Sequence, residues 1–418
     1  MFGLALISPF LSSLLQPRNP AARRVWEAFC AALGAQTGIL LPELYAFQEL
    51  PLLALIIHIP MLFFSAGLIG LFWLALLTLP VPGLSAIFCG AARLAVSGLL
   101  SAVRTLGGLP GVTLWTPAPN LLSAAGLLLM CAGLCALFRW KPRSRGLLTG
   151  AGACLLCISL IPLPHTSTEY LQFSVGDADA ALLWDQNTAL AVDTGYEDGV
   201  LSDYLHRRRL IPDAVILTHL HSDHASGLQA MREDRIPIRA VWLPEGAEEA
   251  DVHPNVLQLL QELREEGTEI RTLAAGDRIS LPSGEAEVIW PEAGRTRPGQ
   301  DANESSLVLR FSLKGTRLLQ TGDLDGRYEM YAAAPAEILK APHHGSAHSS
   351  GPDFLASVGA ETVLLSCSRL SRHLEYQERL GPEVPLYSTA AGGMLTVRFE
   401  EGSWTVETFL PPGSSETR

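Results

Sequence analysis

Asp213-Ala-Val-Ile-Leu-Thr218, running directly into His219-Leu-His-Ser-Asp-His224, is the stretch whose reading decides the fold. The first six residues have the length and branched apolar composition of a buried strand. The next six gather three imidazoles and a carboxylate on the loop leaving its C-terminal end, which is where open α/β sheets hold their chemistry. Neutral imidazoles bind zinc, manganese or iron, and an interleaved carboxylate adds charge and a hard oxygen. On so short a loop His219 and His221 can converge on one ion while Asp223 and His224 turn toward a second. A solvated polar loop is the bland alternative, but the whole chain has only 11 histidines, and three of them clustered here with an aspartate argue against chance.

Outward from this loop, from about Thr166, short strands alternate with amphipathic helices. Strands are predicted at Tyr170 to Phe173, Ala180 to Trp184, Ala189 to Val192, Ala214 to Leu217, Ala240 to Leu243, Ala286 to Trp290, Leu307 to Leu313, Arg317 to Gln320, Ile338 to Ala341, Thr362 to Leu365 and Leu395 to Phe399. Helices are predicted near Val200 to Arg208, Val256 to Glu265 and Asp353 to Val358. Roughly 250 residues can bury a full core, and this mixture predicts an α/β domain over residues 166–418, two sheets with helices outside in an αββα sandwich. Three more polar clusters follow strand ends: Asp193-Thr-Gly195, Thr321-Gly-Asp323 and Pro342-His-His-Gly-Ser346. Singly, each reads as a turn. Together with the histidine loop they would share one rim of the sandwich and orient one another's ligands.

Residues 1–165 are of another kind. Up to Pro164 there are nine basic and three acidic residues, a net +6, whereas the remainder carries 21 basic against 39 acidic, a net −18. A bilayer core needs about 20 apolar residues per helix. Candidate spans are Trp26 to Phe47, Leu53 to Leu79, Leu84 to Leu106, Asn120 to Leu137 and Gly146 to Leu163; Leu84 to Leu106, with Arg93 and Arg104, can instead lie along the interface. This predicts a multi-pass cell-membrane protein with an N-terminal α-helical transmembrane region of about five spans. Met1 to Leu15 is too short to span and reads as the end of a helix. The basic loops at Arg18, Arg23 and Arg24 and at Arg139, Lys141, Arg143 and Arg145 would be cytoplasmic. Four crossings separate them, so parity places both on one side and sends the acidic domain outside. Six of the seven cysteines fall in apolar segments and Cys367 stands alone in the acidic part, which excludes a disulfide framework there.

His-x-His-x-Asp-His with a downstream Gly-Asp and His resembles the signature of the metallo-β-lactamase fold. More narrowly, Val175-Gly-Asp-Ala-Asp179-Ala, Asn303-Glu-Ser-Ser-Leu-Val-Leu-Arg310, Leu319-Gln-Thr-Gly-Asp323 and Leu339-Lys-Ala-Pro-His-His-Gly-Ser346 resemble the soluble domain of ComEC-type competence proteins, which import transforming DNA, and the preceding helices resemble the last part of that family's channel domain. The resemblance implies that His219 and His221 bind a first ion, that Asp223, His224 and one of His343 and His344 bind a second, and that Asp323 bridges; Asp223, Asp323 and His344 would carry the catalysis. Asp193 would brace the histidine loop. Where the wider fold has a further histidine, Asn303 stands, so the first site would be weak. Asp179 and Ser346 are further candidates behind the ligands or against substrate. The loop at Asp177 and Ala178 departs from the family's usual Gly-Gln-Gly-Asp, with Asp179 retained.

Two divalent ions, zinc or manganese, suit phosphodiester hydrolysis. One histidine of the His343-His344 pair can donate a proton to the leaving oxygen, and Ser346 or Ser349 can hold a phosphate oxygen. The implied partners are DNA, the lipid bilayer, other competence-machinery proteins and an oligomeric assembly. A net −18 opposes DNA binding, leaving His206-Arg-Arg-Arg209 as the one basic run able to guide a backbone. Three functions compete: a DNA-uptake protein whose extracytoplasmic nuclease degrades the strand that is not imported, a membrane-anchored metallohydrolase of small or cell-envelope phosphodiesters, and a non-catalytic channel component.

Overall fold

The computed structural model describes all residues except 1, 48, 53, 108–112, 117–118, 136–140, 160, 162–163 and 412–418. The chain forms two compact units, Met1–Leu163 and Pro164–Arg418. In the first, helices α1 (Phe2–Leu6), α2 (Ser8–Leu14) and α3 (Pro20–Phe47) are followed by strand β1 (Glu49–Pro51), α4 (Ala54–Leu77), α5 (Pro82–Gly107), strand β2 (Thr113–Trp115), α6 (Leu121–Leu134) and α7 (Pro142–Ser159). The five longer helices lie on the five expected spans; the expected limits Leu53, Leu137 and Leu163, and Arg139 of the second basic loop, fall outside the described residues. Among those described, the helical stretches Pro20–Phe47 and Gly83–Val103 are long and apolar enough to cross a membrane, and Phe64–Leu77 and Leu121–Leu134 are shorter apolar stretches.

Apolar composition alone does not hold helices together where the surroundings are equally apolar, so close backbone approach must. Between α6 and α7 it does. A Cβ on Gly152 would lie 2.5 Å from the Gly126 carbonyl oxygen, and one on Gly126 would lie 2.7 Å from the Leu156 nitrogen. Ser123 Oγ, buried in the same seam, donates to Ser159 Oγ at 2.9 Å.

The second unit is a sandwich. Its first sheet contains β3 (Thr168–Gln172), β4 (Ala180–Asp185), β5 (Thr188–Thr194), β6 (Ala214–Ile216), β7 (Ala240–Pro244) and β8 (Glu269–Leu273). The second contains β9 (Arg278–Leu281), β10 (Gly284–Trp290), β11 (Val308–Leu313), β12 (Thr316–Gln320), β13 (Ile338–Lys340), β14 (Thr362–Leu365) and β15 (Leu386–Ser388), after which β16 (Leu395–Glu400) and β17 (Ser403–Thr408) return to the first. Spatial orders are β17-β16-β3-β4-β5-β6-β7-β8 and β15-β14-β13-β12-β11-β10-β9.

Alternation along each strand builds three apolar layers. In β4 and β5, Ala181, Leu183, Leu190 and Val192 enter the layer between the sheets, where Leu309, Phe311, Leu318 and Ile338 meet them. Their neighbours Ala180, Leu182, Ala189 and Ala191 face helices α8 (Val200–Arg208), α10 (Gly227–Glu233) and α11 (Pro254–Glu265) on the outside, with the four-residue α9 (Ser222–Ala225) carrying part of the histidine loop. Behind the second sheet, Val308, Leu319, Leu339 and Val363 pack on α12 (Glu329–Ala332), α13 (Pro352–Val358) and α14 (Leu370–Leu380).

The eleven expected strands are all present, with ends shifted by up to two residues. Four strands of the sandwich were not expected, β8, β9, β15 and β17, and they are the four edges of the two sheets. Edge strands bury one side at most and carry charge against further pairing. Accordingly β17, Ser-Trp-Thr-Val-Glu-Thr, buries no residue fully, and β8 buries only Leu273. Helix α14 was missed for the same reason, since Tyr376 is its single buried side chain.

Candidate metal centre

Strands β5 and β6 are parallel, as are β12, β13 and β14, so Asp193, the histidine loop, Asp323, His343, His344 and Ser366 all leave C-terminal strand ends. Gly322 is what lets the two sheets' contributions meet. It has φ +50°, and a Cβ there would lie 2.3 Å from Ser306 Oγ and 2.6 Å from Thr218 Cβ. Through that gap the chain places Asp323, whose backbone N–H donates to Ser306 Oγ at 3.0 Å, while Leu307 N–H donates to the Thr218 carbonyl at 2.7 Å.

His219 Nε2 and His221 Nδ1 converge to 3.1 Å. Beside them, His224 Nε2 lies 3.4 Å and His344 Nε2 3.2 Å from Asp323 Oδ2, with Asp223 Oδ2 at 3.9 and 3.8 Å from the same two nitrogens. His343 is further out, its Nε2 3.9 Å from Asp323 Oδ2 and its side chain 36% exposed. Of the pair, His344 is therefore the inward one. His224 Nε2, His344 Nε2, Asp323 Oδ1 and Asn303 Oδ1 are buried atoms without a hydrogen-bond partner. Buried polar atoms are almost always satisfied, and nitrogen and oxygen donors aimed at one another suit a divalent transition metal. The residues present fit the ions that the sequence implies.

Behind these atoms stands a set of supports. Asp193, held at φ +56°, accepts from Thr218 N–H and Thr218 Oγ1, both at 2.7 Å, and its Oδ2 lies 2.9 Å from His224 Nδ1. His344 Nδ1 faces the Ser366 carbonyl at 3.3 Å; a carbonyl only accepts, so Nδ1 carries a proton and Nε2 is turned inward. His343 and His344 both have φ near +50°, a conformation costing a non-glycine residue roughly 1–3 kcal/mol and held only where its surroundings demand it. Asp179 also comes within 4.8 Å of His224, Asp323 and His344. Its carboxylate, however, is committed to the fully buried Lys340 ammonium and to Gln172 Nε2 at 3.4 Å, and it approaches His344 from the Nδ1 side at 3.9 Å. Asp223, on the Nε2 side, is the better ligand candidate.

Electrostatics follow from the crowding. Burial opposes charge on His224, but Asp323 and Asp193 outweigh it and hold its pKa well above the usual value. Burial likewise opposes charge on His344, yet Asp323 and Asp179 push it up to about 10. Asp323 resists the effect of burial because His344 and His224 face it, and it stays well below the carboxylate range. His219, with burial and the His224 charge both against protonation, is held well below 6.5 and so keeps a free nitrogen. A divalent cation would take the place of the protons on His224 and His344.

Other candidates fall outside this cluster. Ser346 Oγ accepts from the His348 N–H at 3.3 Å, and Ser349 Oγ is buried and donates to the Pro342 carbonyl at 3.0 Å, so Ser349 is not free to hold a phosphate. Asp177, the departure noted at the β3–β4 loop, accepts from Ser368 N–H and Oγ at 2.9 and 2.7 Å and ties that loop to the segment after β14. The run Arg207 to Arg209 is on the wrong rim to guide a strand into the centre. Helix α8 carries the chain from the end of β5 back to the start of β6, where Asp213 N–H donates to the Ala189 carbonyl at 2.8 Å. That is a strand length, about 15 Å, from Asp193. Sequence reasoning missed Lys340 and Ser366. A lysine inside Ile-Leu-Lys-Ala, an otherwise buried strand, was the available signal, because a buried ammonium requires a carboxylate.

The αββα fold and a histidine–aspartate rim define the metallo-β-lactamase class, and residues 174–368 match the model of the metallo-beta-lactamase superfamily. Residues 1–143 match the model of the competence protein family. The chain is 26% identical over 306 residues to ComE operon protein 3 of Bacillus subtilis, covering 65% of this chain and 38% of that one. It is 24% identical over 267 residues to Recombination protein 2 of Haemophilus influenzae, covering 59% and 31%. With competence protein ComA of Neisseria gonorrhoeae, identity is 27% over 203 residues, or 47% and 25%. The chain belongs to the ComEC family, and it spans between a quarter and two-fifths of the length of these relatives. Among solved structures, the metallo-beta-lactamase fold protein YhfI of Bacillus subtilis aligns at a TM-score of 0.39 with 11% identity, over 54% of this chain and 98% of that one.

Proposed function

We propose that this chain is a multi-pass membrane component of DNA uptake whose acidic unit, on the outer side, is a metal-dependent phosphodiesterase that degrades the strand not imported. The observation that supports it most is the placing of Asp323 between two unpartnered ring nitrogens, His224 Nε2 and His344 Nε2, with Asp223 beside them. His219, His221 and Asn303 would hold a first ion; Asp223, His224 and His344 would hold a second, with Asp323 shared. Two divalent ions, zinc or manganese, would supply Lewis acidity on the phosphoryl group and a nucleophile at neutral pH. The chain's own part is to hold that arrangement: Asp193 fixes the His224 ring, Ser366 fixes the His344 tautomer, and Lys340 offsets the crowded carboxylates. His343, half out of the cluster, would give the leaving oxygen a proton, a reading its exposed position supports. Because such a centre reads phosphate and not base edges, cleavage should show little sequence preference.

The test uses the purified full chain with manganese or zinc against single- and double-stranded DNA, with bis-(p-nitrophenyl) phosphate beside them. Metal-dependent cleavage of DNA is expected. Turnover of the small ester with no action on DNA at any metal concentration would transfer the proposal to envelope phosphodiesters, and no turnover of either would leave a non-catalytic channel component. A reporter after Arg418 should be extracytoplasmic and one near Arg143 cytoplasmic; cytoplasmic signals at both would overturn the topology.

A further inference from the structure

At the end of β10, Trp290 pairs in register with Val308; Leu309 pairs with Gln320, and Gln320 with Lys340. Trp290 therefore stands on the same rim as Asp323, two strands away, about 10 Å at the ~4.8 Å spacing of paired strands. It is 1% exposed, and its indole N–H donates to the Glu304 carbonyl at 3.0 Å. Two tyrosines stack on it: Tyr328 at 5.6 Å between ring centroids and 24° between planes, Tyr331 at 5.9 Å and 30°. Tyr328 OH donates to Glu304 Oε2 at 2.9 Å. Helix α12, which carries Tyr331, is bolted down by Glu329, whose buried carboxylate accepts the Ser350 and Gly351 N–H groups of the loop following His344. Tyr331 is nonetheless 66% exposed.

Two guanidinium groups flank this stack. Arg295 lies 5.3 Å from the Tyr328 ring and 5.6 Å from the Trp290 ring and makes no ion pair among the described residues, while Arg327 lies 5.7 Å from Tyr328 and pairs with Glu304 and Asp325. In a unit of net charge −18, a rigid aromatic face beside an uncommitted arginine is an exception to the surface around it. Aromatic faces with arginine are how proteins hold unpaired bases without reading sequence.

We propose that Tyr331, backed by a Trp290–Tyr328 stack that Arg295 flanks, is a stacking platform for an unpaired base of the strand held at the metal centre. This rests on the DNA reading of that centre. That base would lie along the same strand from the phosphate under attack, on the rim that Trp290 and Asp323 share. Double-stranded DNA offers no free face except at frayed ends, so the platform selects single strands and ends.

The experiment compares, on the full chain with manganese, the KM for a single-stranded oligonucleotide with that for the same oligonucleotide made abasic. Wild type should favour the ordinary strand roughly ten-fold. Tyr331→Ala should raise the KM of the ordinary strand to the abasic value and leave the abasic value alone, and Tyr331→Trp should preserve the difference. If wild type cleaves ordinary and abasic strands with equal KM, or Tyr331→Ala weakens both alike, the platform is overturned and the DNA reading stands. If wild type turns over bis-(p-nitrophenyl) phosphate and neither strand, both readings fall.

Discussion

His221 and His224 leave the same loop three residues apart and end in different company. His224 has Asp193 against its Nδ1 and Asp323 toward its Nε2, and across from it His344 is tied to the Ser366 carbonyl with Lys340 and Asp179 behind. His219 and His221 face each other at 3.1 Å, with Thr218 Oγ1 at 3.2 Å from His219 Nδ1 and no carboxylate against either ring among the described contacts. The further group that the sequence offers them is Asn303, a neutral amide whose oxygen is buried and unpartnered. Supports behind ligands orient the rings and raise their basicity, and their loss usually costs ten- to a hundred-fold in affinity. The contrast teaches that one loop can deliver its rings into unequal surroundings, one braced by carboxylates from both sheets and one supported mainly by the loop itself, so that under the proposed two-ion arrangement the first would bind more tightly than the second.

Replacing the residue common to both halves should have the largest effect. Asp323→Ala should strip both ions and lower turnover of the small ester by more than about 100-fold, beyond what a lost support costs. Elemental analysis of the purified full chain decides it, and two ions retained would mean that Asp323 is not shared. The next change separates the halves: His221→Ala should reduce the content from two ions to one, whereas His224→Ala should remove the tightly held ion. An equal loss in both variants breaks the comparison. A finer cut is Asp193→Asn, which keeps an acceptor for the Thr218 N–H but weakens the brace on His224. It should lower affinity for the tight ion by about ten- to a hundred-fold while leaving the weak one within a few-fold, read by metal titration. The smallest effect concerns the far rim. Changing Arg207, Arg208 and Arg209 together to glutamine should alter DNA cleavage by less than about two-fold at physiological salt, because they lie beyond a Debye length from the centre. A large loss would mean that the substrate reaches the opposite end of the sandwich.

Much of the second unit was legible because its signals are local. Eleven strands announced themselves through runs such as Ala214-Val-Ile216 and Leu318-Leu319, which are apolar and packed on both faces and so break the pattern with no polar position. Edge strands β8, β9 and β17 were silent since half or more of each faces solvent, and β15 because it is only three residues long. In the first unit the helices were equally plain, but the seam of Gly126 and Gly152 was not, for a glycine inside an apolar helix looks the same whether it meets a neighbour or not.

The sequence by itself determined the histidine–aspartate cluster, its placement at strand ends, the αββα class and the acidic character of the second unit. These depend on periodicity and on residue chemistry within a few positions of one another. Only the tertiary structure decided that His344 and not His343 points inward, that Asp179 answers Lys340 while Asp223 faces the cluster, and that the arginine run sits on the opposite rim. Each of those outcomes joins residues as far as 161 positions apart, as Lys340 and Asp179 are. Such contacts are set by strand order and register summed across two sheets, and no window along the chain contains them.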